Sequence, residues 1–207
     1  MPTVSFIDRF FMEYERGEHS GAIHDVPLIA SPNYDERPAN IIIDTLVIHN
    51  ISLPTGVFGG EDVIKLFTNT LDTTSPAYQS LEGLRVSSHF FIRRDGEVIP
   101  FVPCALRAWH AGQSLWRGRS AVNDFSIGIE LEGSDTAFFT EKQYHALSKL
   151  TERLIVAYPI VDIVGHSDIA PTRKTDPGTC FDWENYYCIT ASLMSEGSEA
   201  LRICSPP

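Results

Sequence analysis

The 207-residue chain sets 16 Lys and Arg against 27 Asp and Glu, a net charge of −11, with 43% hydrophobic and 21% charged residues. That length fits one domain with its own core. The acidic balance excludes a general nucleic-acid binder and a protein that docks electrostatically on an anionic membrane.

Taken in chain order, residues 1–40 are polar and broken by Pro27, Pro32 and Pro38, with a helical turn or two predicted in 5–16. The acids Asp8, Glu13 and Glu15 come early and no basic n-region precedes them, so no secretory signal is expected and the location predicted is cytoplasmic. The sequon at Asn50-Ile51-Ser52 is then a chance match. No run approaches the roughly 20 apolar residues of a membrane helix. Cys104, Cys180, Cys188 and Cys204 form no C-x-x-C pair and are expected to be reduced thiols.

The run from Asn40 to His49 is rich in β-branched residues and predicts a central strand covered on both faces. Glu61–Leu71 has helical spacing. Asp95-Gly96 between Ser87–Arg94 and Glu97–Val102 predicts a hairpin. Phe125–Glu132 alternates strictly, placing Phe125, Ile127, Ile129 and Leu131 on one face and Ser126, Gly128, Glu130 and Glu132 on the other. Thr140 with Gln143 makes a capping box for a helix to about Tyr158, with a stripe of Tyr144, Leu147, Leu154 and Tyr158. Ile160–Val164 is a short buried strand, 171–181 a Pro/Gly loop, and Trp183–Met194 a last helix. One antiparallel hairpin among interleaved strands and helices predicts a single α/β (α+β) domain, a mixed sheet flanked by helices.

Two histidines fall at predicted strand ends, His49 and His166, and Asp176 follows ten residues after the second. Strand ends are where side chains meet a cleft. Two neutral imidazoles and one carboxylate are the composition of a catalytic zinc site with an open position for water. The spacing alone is weak: there is no H-E-x-x-H, and a strand-end histidine is by default a hydrogen-bonded residue. Glu130 is either a surface acid or, if its face meets a metal, a general acid/base, with Glu132 a rival. Lys174, two residues before Asp176, could steady an oxyanion or be a surface lysine. Arg85 and Arg119 are candidate cations for an anionic ligand. Trp109 offers an aromatic wall and His110 could support a metal ligand, whereas His89 reads as a buried, hydrogen-bonded residue. No nucleophile elbow, Walker loop or dinucleotide fingerprint is present.

Eight segments occur in an order that resembles a known family: Leu46–Pro54, Phe58–Gly60, Leu84–His89, Ile92–Glu97, Arg107–Gly112, Asn123–Gly133, Gly165-His166 and Ile169–Gly178. They resemble the zinc-dependent N-acetylmuramoyl-L-alanine amidases, the group that includes the cytoplasmic 1,6-anhydro-N-acetylmuramyl-L-alanine amidases of Gram-negative bacteria (AmpD type), phage amidases and peptidoglycan recognition proteins. The likeness runs from Ser31 to Trp183. It implies a peptidoglycan-recognition-protein-like fold, with an N-terminal extension at 1–30, the amidase domain at 31–194 and a C-terminal tail at 195–207. It implies one zinc ion on His49, His166 and Asp176, an acid/base role for Glu130, an oxyanion role for Lys174, and a substrate groove lined by Asn50, Arg85, Trp109 and His110. The expected reaction is hydrolysis of the bond between (1,6-anhydro-)N-acetylmuramic acid and L-alanine in peptidoglycan recycling. The expected partner is a small muropeptide, with no nucleic acid or membrane involved, met by a monomer. An amidase of intact cell wall and a recognition module that binds without cutting are the competing expectations.

Overall fold

In the computed structural model, which describes residues 29–193 and 202–203, a six-stranded mixed sheet organises the chain. Among the described residues ten strands are formed: β1 Tyr34–Asp35, β2 Thr45–Ile51, β3 Phe90–Ile92, β4 Val98–Pro100, β5 Arg107–Ala108, β6 Leu115–Trp116, β7 Arg119–Ser120, β8 Ser126–Glu132, β9 Asp162–Gly165 and β10 Arg202–Ile203. The main sheet has the order β10-β9-β2-β8-β3-β4. Its β9, β2, β8 and β3 run parallel, and only the β3–β4 hairpin is antiparallel. The helices are α1 Asp62–Phe67, α2 Glu141–Ala157, α3 His166–Ile169 and α4 Trp183–Leu193. The helix expected at 5–16 lies outside the described residues.

Alternation along the strands divides the sheet into two faces. Leu46 and Ile48 of β2 with Ile127, Ile129 and Leu131 of β8 point into one core under α2 and α4. The α2 N-terminus carries the predicted box: Thr140 Oγ1 accepts from Gln143 N–H, and the Gln143 side chain accepts from Thr140 N–H. Tyr186 of α4 hydrogen-bonds Thr151 of α2 at 2.6 Å across the helix pair. Phe125 departs from the expected face. It precedes β8 with non-strand dihedrals and packs with Val47, Ala111 and Val164 on the other side, beneath the Arg119 guanidinium.

Three other expectations shift. The Ile41–Ile43 run stays outside β2, because Pro38 starts a turn and Asn40 takes φ +61°; the strand instead continues past His49 to Ile51. Glu61–Leu71 shortens to α1. Within the predicted tail, β10 adds a parallel edge strand to β9, and Arg202 donates to the buried carboxylate of Asp162 at 3.0 Å.

At the start of β8 lies a half-buried guanidinium, Arg37. It donates to the carbonyls of Cys104, Asn123, Asp124 and Ser126 at 2.8–3.1 Å and lies against His89. His89 itself is buried and accepts from the Gly128 N–H at 2.9 Å. Cys104, Cys180 and Cys188 form no disulfide, and no helix among the described residues is long and apolar enough to cross a membrane.

Candidate active site

Parallel neighbours end at the same side of a sheet, so β2 delivers His49 beside the start of α3, where His166 follows directly on β9. The 173–178 loop folds back over that edge, held by the Ser167 N–H on the Asp176 carbonyl. Three donor atoms converge there. His49 Nδ1 lies 2.9 Å from His166 Nδ1 and 3.1 Å from Asp176 Oδ2, and the latter two are 3.0 Å apart. Both histidines are buried and Asp176 is nearly so.

The surrounding hydrogen bonds fix which ring nitrogens carry hydrogen. Ser126 Oγ donates to the Val122 carbonyl at 2.6 Å, so it can only accept from His110 Nε2–H at 3.3 Å. His110 Nδ1, 3.0 Å from His49 Nε2, is therefore an acceptor, and the His49 hydrogen sits on Nε2. His166 Nε2–H donates to the Ala111 carbonyl at 3.1 Å. Two imidazole lone pairs and a carboxylate oxygen are left facing one another. Such a set repels itself unless a cation lies between, and N/N/O donors suit a divalent metal with further positions open. The residues present fit a metal centre.

The electrostatics agree. Burial, with His166 beside it, lowers His49 to about 4, so the imidazole is neutral at pH 7. Burial pushes the Asp176 carboxyl up, but the His166 and His49 rings against it outweigh that and hold the group well below the usual carboxylate range. A neutral His49 beside an ionised Asp176 is the state a metal ion needs.

Glu130 occupies β8 directly opposite His49. It is buried, and its Oε2 has no hydrogen-bond partner among the described residues. Burial, then the charge of Asp176, raises its carboxyl well above the ordinary range, with Lys174 opposing. Glu132 is spent differently: its carboxylate accepts from the Gly59 and Arg94 backbone N–H groups. It borders a separate hollow of about 540 Å³ that contains none of the predicted site residues.

Lys174 and Asp176 line an open groove of about 420 Å³ together with Asn50, Ser134, Asp135 and Thr175. Both uses of the Asn50 amide nitrogen are internal, to Asp135 Oδ1 at 2.7 Å and to the Pro177 carbonyl at 3.0 Å. What Asn50 can offer a ligand is its oxygen. His110 is buried behind His49, and Trp109 is partly buried with an indole N–H that has no partner among the described residues. Arg85 is exposed, its guanidinium on the Leu84 carbonyl. Arg119 is not brought to the groove: Asp44 holds it through two bonds of 2.9 Å.

Two features of the site escaped the sequence reading. Arg173 donates to the Ala111 carbonyl at 2.6 Å, bracing the acceptor of His166. Gly128 leaves the room that His110 fills, since a Cβ there would lie 2.4 Å from the ring. A glycine inside a strand signals such close approach.

The N-acetylmuramoyl-L-alanine amidase family matches residues 38–179, and the chain belongs to that family. Within it, the chain is 52% identical over 161 residues to the 1,6-anhydro-N-acetylmuramyl-L-alanine amidase AmpD of Escherichia coli K12, covering 76% of this chain and 88% of that protein. The fold is similar to a crystal structure of a selenomethionine derivative of AmpD, with a TM-score of 0.77 and 48% identity over 82% of this chain and 96% of the other. It is also similar, with a TM-score of 0.54 and 29% identity, to the amidase AmiD of E. coli in complex with anhydro-N-acetylmuramic acid-L-Ala-D-gamma-Glu-L-Lys; that match covers 76% of this chain and 65% of the other.

Proposed function

We propose that the chain hydrolyses the amide between the lactyl group of 1,6-anhydro-N-acetylmuramic acid and L-alanine in small muropeptides, as a cytoplasmic, monomeric, zinc-dependent enzyme of peptidoglycan recycling. The observation that carries the catalytic part is the unpartnered Oε2 of buried Glu130, set opposite a three-donor cluster with its lone pairs turned inward. The muropeptide part is supported by half-identity to AmpD and by the molecule bound in AmiD.

His49, His166 and Asp176 would hold the zinc ion, which when bound supplies Lewis acidity toward the amide carbonyl and toward water. Glu130 takes a proton from the attacking water at Oε2 and returns it to the departing alanine nitrogen. Its raised affinity for protons favours taking the proton from water and holding it for the leaving nitrogen. Lys174, whose charge acts on Glu130, places an ammonium beside the oxygen that becomes negative as the carbonyl is attacked. Asn50 Oδ1 is an acceptor for a substrate N–H.

Incubating the zinc-loaded protein with an anhydro-muramyl tripeptide, with a chelated control, tests this by mass spectrometry. Free tripeptide in the zinc sample alone is expected. Binding without release of peptide would turn the reading into that of a recognition module.

A further inference from the structure

Asp135 follows β8 in the tight turn closed by the bridge between Ser134 and Ala137. It hydrogen-bonds to neither Glu130 nor the three donor atoms, yet it joins the elements that carry Glu130, His49 and Asp176. Its Oδ1 accepts from Asn50, the residue after His49 on β2. Its Oδ2 accepts from the hydroxyl of Thr175, the residue between Lys174 and Asp176. The strand that leads into it, β8, bears Glu130 five residues earlier. Gly178, at φ +80°, packs so closely that an added Cβ would lie 2.5 Å from Asp135 Cα. The Asn50 amide closes the network by also donating to the Pro177 carbonyl.

We propose that Asp135 is a positioning residue, a joint that fixes the 173–178 loop, and with it Lys174 and Asp176, against the ends of β2 and β8. The proposal rests on the amidase reading for its catalytic consequence, but not for its metal consequence. The 173–178 segment forms no strand or α-helix, so few backbone bonds hold it in place. A carboxylate with one oxygen for each of two donors sets both at once. An asparagine could do nearly the same, its oxygen accepting from Asn50 and its amide N–H donating to the Thr175 hydroxyl.

The test compares Asp135→Ala, Asp135→Asn, Thr175→Val and the Ala/Val double variant of the full chain. Readouts are zinc retention against a chelator, kcat and KM on the tripeptide substrate, and the melting temperature. Asp135→Ala is expected to weaken zinc retention about 10-fold and to lower kcat more than it raises KM. Asp135→Asn should recover to within about 3-fold of the parent. Thr175 is exposed, so its valine variant folds regardless and should show a smaller loss of the same kind. The double variant should be no worse than Asp135→Ala, because both changes cut one joint. Undiminished zinc retention in Asp135→Ala and Thr175→Val, additive losses in the double variant, or an asparagine variant as poor as alanine would each overturn the proposal. If the parent cleaves no muropeptide, the amidase reading fails, while the zinc measurements still decide the joint.

Discussion

The two faces of β8 are built from alternate residues of one strand, and they solve opposite problems. Ile127, Ile129 and Leu131 enter an apolar core under α2 and α4, where fit and area set the stability. Ser126, Gly128 and Glu130 enter an interior just as closed to water, but polar. There each group must be satisfied by a specific partner, and one, Glu130 Oε2, has none among the described residues. A buried polar atom with no partner costs free energy. The contrast teaches that burial by itself does not distinguish core from site; the unmet hydrogen-bonding capacity does.

The largest effect that would sharpen this contrast is on turnover. Glu130→Gln should lower kcat by about 10²–10⁴-fold while zinc content and fold persist, since it removes proton transfer and keeps the shape. A variant with full turnover would remove Glu130 from the chemistry. On the apolar face, Ile129→Ala should cost about 2–5 kcal/mol of stability by leaving a cavity, with kcat at temperatures well below melting near the parent value. Chemical denaturation and steady-state kinetics together separate the two outcomes.

Acid should strain the polar face selectively. His49, His89 and His110 are held below the ordinary 6.5 by burial, His49 to about 4. The unfolded chain binds those protons first, so their contribution to stability is lost as pH falls from about 6.5 toward 4. Glu130 works the other way, keeping a proton in the fold that the unfolded chain releases above 4.5. The three imidazoles outnumber the one carboxyl, so unfolding of the metal-free protein takes up protons near pH 5–6 and its stability falls as the pH is lowered through that window. Calorimetric melting across that window checks it, and a flat profile would contradict neutral, buried imidazoles. The smallest change is one methyl group. Gly128→Ala should cost about 1–3 kcal/mol by crowding His110, and should also weaken zinc retention, which a comparable overpacking on the apolar face would not.

How much of this was legible beforehand follows the range of each interaction. The alternation of β8 and the Thr140 box are local and were readable from spacing, because period and cap chemistry involve neighbours in sequence. Phe125 fell out of the pattern because it precedes the strand, and no spacing rule marks where pairing begins. Convergence of His49 and His166 needs the β2–β9 pairing across 117 residues, which motif order could suggest only through resemblance. Arg119 looked free because Asp44, 75 residues away, carries no signal that it will hold it. The strand in the tail was invisible for the same reason: Arg202 matters only once Asp162 is known to be buried.

Arg37 has a consequence in simple valence. Four main-chain carbonyls, from Cys104, from the turn at 123–124 and from the first residue of β8, point at one side chain, and five N–H bonds in a rigid plane are available to meet them. A lysine at 37 would bring the same charge but only three hydrogens on a tetrahedral nitrogen. At least one carbonyl would go unanswered beside the His89 ring. Charge conservation at this position is therefore no conservation at all; what the fold consumes there is a count of hydrogens and the flatness that distributes them.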